Sequence, residues 1–77
     1  MNKRFKANDK VQIKSSKSAA LWPGRWSKFP QPGEFATVVD LEPVKVVVES
    51  VDAKGTVWWV ASFDPADLEL VMRPGAE

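Results

Sequence analysis

The sequence predicts an all-β domain: five short strands closed into a small barrel, with a long first loop and a short helical turn before the last strand. Three observations carry this expectation. Apolar residues recur with a period of two in separate short stretches, the spacing of half-buried strands. Gly, Pro and Asp punctuate the chain between those stretches. No segment carries an apolar stripe long enough for a useful amphipathic helix. With 77 residues the chain makes one domain at most, and its core is thin. Barrel closure suits such a chain because it removes exposed strand edges.

The elements follow in order. Residues 1–8 read as a basic tail, residues 9–72 as the folded domain and residues 73–77 as a C-terminal tail. Asp9-Lys10-Val11-Gln12-Ile13-Lys14 alternates polar and apolar, placing Val11 and Ile13 inward. Ser15 to Gly33, rich in Ser, Pro and Gly, reads as a loop, and loops of that length in compact domains tend to be functional or mobile. Phe35 to Leu41 is the second strand, ended by Pro43, which supplies no N–H to a ladder. Val44 to Glu49 is the third, with Val44, Val46 and Val48 on one face. Asp52-Ala53-Lys54-Gly55 is a turn whose glycine can take positive φ. Thr56 to Phe63 is the fourth strand, with Val57, Trp59, Ala61 and Phe63 facing the core and Trp58 and Val60 facing outward. Asp64-Pro65-Ala66-Asp67 is a helical turn, and Leu68 to Val71 closes the chain. The expected core is Val11, Ile13, Val39, Val46, Val48, Val57, Trp59 and Leu68.

Composition narrows the chemistry. The chain has no cysteine and no histidine, which removes disulfides, thiolate metal sites and imidazole catalysis together. Asp64 and Asp67 suit capping of the helical turn better than acid–base work. No phosphate-cradling Gly-rich motif is present. Catalysis therefore has little support, and neither a cofactor nor a metal is expected. No apolar run approaches the roughly 20 residues that cross a bilayer. The first six residues are basic without the apolar stretch of a secretory signal, so a cytoplasmic location, away from membranes, is the default expectation.

The net charge of +1 hides a strong asymmetry. Residues 1–28 carry eight cations against Asp9 alone, a net of +7; residues 29–77 carry three cations against nine carboxylates, a net of −6. A chain of this kind can attract an anionic partner with one half or pair head to tail with itself.

Two groups of residues stand out as binding candidates. Trp22, Arg25, Trp26, Lys28 and Phe29 place three aromatics and two cations within one Pro/Gly-rich loop. Trp and Arg dominate binding hot spots, and rings interleaved with cations are what single-stranded nucleic acid requires. The bland alternative is that the rings fold back and cap the barrel. The second group is Trp58 with Val60, an apolar pair on the outward face of the fourth strand that invites a partner unless the long loop covers it. The basic tail, Lys3, Arg4 and Lys6, suits solubility more than specific contact.

The opening Asp9-Lys10-Val11 and the closing Phe63 to Val71 resemble the first and last segments of SH3-like barrels, in which a one-turn helix often precedes the final strand. A narrower likeness exists. Val48-Glu49-Ser50, Gly55 to Val60 and Ala66 to Glu69, with Lys14-Ser15 and Ala19 to Trp22, are similar to plasmid-borne type II dihydrofolate reductases. That resemblance implies a tetramer around a central pore where NADPH and dihydrofolate meet. The family's pore run is Val-Gln-Ile-Tyr; this chain has Val57-Trp58-Trp59-Val60, with Trp58 at the glutamine and Val60 at the tyrosine. The family's pore lysine falls on Ile13, beside Lys14. The barrel also looks like small accessory subunits of photosynthetic electron transfer, ferredoxin–thioredoxin reductase and nitrile hydratase. The leading expectation is a non-catalytic binding or accessory module, self-associating or bound to another protein. A nucleic-acid-binding barrel and an NADPH-dependent oligomeric reductase are the alternatives.

Overall fold

The structure, a computed structural model, describes residues 5–74. It is all-β, with six strands: β1 (Lys10–Ile13), β2 (Ala20–Leu21), β3 (Phe35–Leu41), β4 (Val46–Val51), β5 (Val57–Phe63) and β6 (Leu68–Met72). A single 3₁₀ turn, Pro65–Asp67, sits between β5 and β6, with Pro65 at its tolerated first position. The strands form one antiparallel sheet in the order β2-β5-β4-β3-β1-β6. The expectation of five strands in a closed barrel is corrected: there are six, and the two ends of the sheet, β2 and β6, are not hydrogen-bonded to each other. The additional strand comes from the long loop. Two residues are too few to carry an alternation in sequence; Ala20 and Leu21 become a strand only because Ser62 and Ala61 pair with them.

Three bulges bend the sheet. The ladder skips Val39 in β3, Trp58 in β5 and Val71 in β6. Each inserts one residue against a continuous partner, which raises local twist and curvature. The curled sheet gathers Val11 and Ile13 of β1, Ala36 and Val38 of β3, Val46 and Val48 of β4, Trp59, Ala61 and Phe63 of β5, and Leu68 of β6 into one core.

The bulges also explain the misplaced core residues. Val39 and Val57, expected inside, are exposed. In β3 the inward phase belongs to Ala36 and Val38, so Val39 starts on the outer face and the bulge leaves it there. In β5 the bulge at Trp58 breaks the alternation between Trp59 and Val57. Val44 was expected to share a face with Val46 and Val48. It is 71 % exposed instead, because the Glu42 N–H donates to the Lys45 carbonyl at 2.9 Å and makes residues 42–45 a turn.

The tail drawn over residues 1–8 is not cleanly separate from the domain. Asn8 takes a left-handed conformation, φ 75°, which asparagine tolerates better than most residues. The turn it makes returns the chain so that Phe5 packs into the core. The same turn presents the Asp9 carboxylate, fully buried, to the Lys6 N–H at 2.8 Å and to the Arg73 guanidinium at 2.8–3.2 Å. Arg73, assigned above to the C-terminal tail, thus ties the end of β6 to the start of β1. Lys3 and Arg4 lie outside the described residues. Among the described residues no helix is long and apolar enough to cross a membrane.

Candidate functional site

The long loop is anchored along its length. At its base the Gly33 N–H donates to the Ile13 carbonyl at 2.7 Å, and the Lys14 N–H donates to the Asp67 carbonyl at 2.8 Å. Ser16 Oγ donates to the Pro30 carbonyl at 2.9 Å, drawing the two arms together. Ser18 is the strongest tie: its hydroxyl donates to Asp67 Oδ2 at 2.6 Å and accepts the Asp64 N–H at 2.9 Å. The loop then lies along β5 as β2, and the Trp22 N–H extends that ladder to the Val60 carbonyl at 2.9 Å. Sequence reading attached no function to Ser18; a serine in a Ser-rich stretch gives no sign that it meets a turn 46 residues later.

At the tip, the Trp26 indole N–H donates to the Trp22 carbonyl at 2.8 Å and its ring packs against the core. Trp26 is therefore a brace, as the bland alternative had it. Gly24 makes this possible. Its φ of 152° is a conformation L side chains rarely adopt, and an added Cβ would sit 2.8 Å from Trp26 Cζ2. Gly24→Ala is expected to cost about 1–3 kcal/mol and to shift the Trp26 indole N–H resonance; an unchanged melt and resonance would show that the tip relaxes freely.

Trp22 and Phe29 remain 40 % and 47 % exposed. Lys28 reaches back over the sheet, its Nζ 4.6 Å from the Trp58 ring centroid, within cation–π range. Trp58 is half-buried and touches the edge of the core, so it is less available than an outward residue on a regular strand would be. Val60 is half-buried, in a cross-strand row with Glu49 and Thr37 and adjoining Trp22. Arg25 is exposed. The structure thus joins Trp22 to Trp26 and Val60, and Lys28 to Trp58, while Arg25 and Phe29 stand open on the same loop. No sequence pattern links Lys28 to Trp58, which lie 30 residues apart.

The charges contributed by this segment itself are all positive. Residues 10–33 contain Lys10, Lys14, Lys17, Arg25 and Lys28 and no carboxylate. The ion pairs among the described residues, Asp9–Arg73 and Lys45–Asp64, use none of these five. Glu49 is the carboxylate nearest the face in the strand register, one strand from Val60.

No family model, curated protein or solved structure matches the chain. Its chemistry must therefore be read from this surface alone.

Proposed function

We propose that the chain is a non-catalytic binding module with the chain path of an SH3-like barrel, and that it takes its ligand on the loop of residues 21–29 where that loop lies against β5. The strand order supports the barrel reading: β1 sits between β3 and β6, and a one-turn 3₁₀ segment precedes β6. The observation that carries the binding reading is the loop itself. It displays two exposed rings and two cations without a carboxylate partner among the described residues, and hydrogen bonds tie it down at its base, its middle and its tip. A pre-ordered surface loses little entropy on association, which is where a ligand face gains affinity over a mobile loop. The ligand it suits is anionic.

Immobilised heparin tests this. The wild-type chain should elute at higher salt than the Arg25→Ala/Lys28→Ala double variant, with amide spectra showing the same fold for both. Co-elution of the two folded proteins would mean that this loop is not the ligand face.

A further inference from the structure

The loop face combines three properties that together select a ligand. First, the loop's own charges have one sign: Lys14, Lys17, Arg25 and Lys28 lie in residues 14–33 with no carboxylate, and none has an ion-pair partner among the described residues. The carboxylates bonded to the loop, Asp67 at Ser18 and Glu34 at Gln31, lie outside its tip segment 21–29. A polyanion would release its counterions on meeting such a surface. Second, its aromatic surface is divided by role. Trp26 is spent on bracing the loop, while Trp22 and Phe29 are left exposed on either side of Arg25. Flat rings beside cations suit a ligand that alternates planar groups with charges. Third, Lys28 is parked over the Trp58 ring rather than on a carboxylate. An ammonium over a ring still has N–H donors on its far side to offer an anion.

We propose that the ligand is a single-stranded nucleic acid, its bases stacking on Trp22 and Phe29 and its phosphates meeting Arg25 and Lys28. The proposal rests on the reading of this loop as the binding face. A duplex fits less well because its bases are already stacked on each other and offer no free ring faces. A second copy of the chain, whose residues 29–77 carry a net of −6, is the competing occupant, and sedimentation distinguishes it.

The test is anisotropy of a labelled oligothymidylate titrated with the full chain across a range of salt. Binding is expected with a log K against log salt slope of about −1.4, two phosphate contacts at about 0.7 each on a single strand. Phe29→Ala and Trp22→Ala should each weaken binding roughly tenfold with the slope unchanged. Arg25→Ala should flatten the slope by about 0.7. A duplex or inorganic polyphosphate bound as tightly as the single strand overturns the proposal, as do folded ring variants of wild-type affinity; the heparin difference would then survive and the loop would remain an anion-binding face. Absence of oligonucleotide binding at low salt, with sedimentation showing self-association that Trp22→Ala abolishes, overturns it in favour of a second copy.

Discussion

Trp59→Ala should remove a large part of the domain's stability at 25 °C. Trp59 is the largest fully buried side chain, and it lies against Phe63 with ring centroids 6.1 Å apart and planes tilted by 54°. It faces Ser50 of β4 directly next to the bulge at Trp58, so the curvature of the sheet converges on it. Truncating a buried tryptophan costs about 3–5 kcal/mol, the lost transfer energy plus a cavity that a rigid sheet cannot close. A domain of this size has on the order of 4–12 kcal/mol in total, so the loss takes between about a quarter and all of the margin and should lower the urea midpoint sharply. The indole N–H of Trp59 finds no acceptor among the described residues. Trp59→Phe should therefore be far milder, since it removes an unpaired donor together with some volume. Urea melts of the three proteins check both statements. A Trp59→Ala chain with the wild-type midpoint would show that the core is organised around something other than this ring.

Arg73→Met should lower Tm at neutral pH by roughly 10 °C or more, and the deficit should shrink in acid. Asp9 is fully buried, and the bidentate hydrogen bonds from Arg73, the largest influence, hold its carboxyl below the ordinary range. Burial pushes the other way, and the Lys6 N–H adds to the lowering. A carboxyl depressed in the folded state contributes stability above its unfolded value of about 3.9 and loses it as pH falls through the folded value. The wild-type chain should accordingly hold its Tm down to about pH 5 and lose part of it below pH 4. Without the guanidinium, burial is opposed only by Lys6, so the carboxyl should rise from its wild-type folded value. The variant then carries its penalty at neutral pH and sheds it on protonation, so the two melting curves should converge toward pH 4. A Tm difference that stays constant from pH 7 to pH 4 would show that Arg73 acts through packing of its stem and not through the charge of Asp9.

Both residues show how differently the two levels of description contribute. Trp59 was readable as core because Trp59, Ala61 and Phe63 share one face of a strand with a period of two, a local property of the chain that the burial of β5 follows. The same holds for Val11, Ile13, Val46, Val48 and Leu68, all buried as the pattern requires. Asp9–Arg73 was not readable, because a salt bridge across 64 residues leaves no periodic trace in either segment.

Local side-chain chemistry was enough for five of the six strands, the helical turn at Pro65–Asp67, most of the inward faces, and the concentration of rings and cations between Trp22 and Phe29. These follow from side-chain period, proline and glycine chemistry and composition, each of which acts within a few residues. Tertiary structure alone decided the rest. It set the phase of β3 so that Val39 faces outward; it placed the bulge at Trp58, which put Val57 outside; it drew Ala20 and Leu21 into a sixth strand; it returned Phe5 to the core; and it divided the candidate residues between bracing (Trp26), partial cover (Trp58 under Lys28) and open surface (Trp22, Arg25, Phe29). Each of those outcomes depends on which distant segment lies opposite. A register shift of one residue moves a side chain to the other face of the sheet, and only the paired strand sets the register.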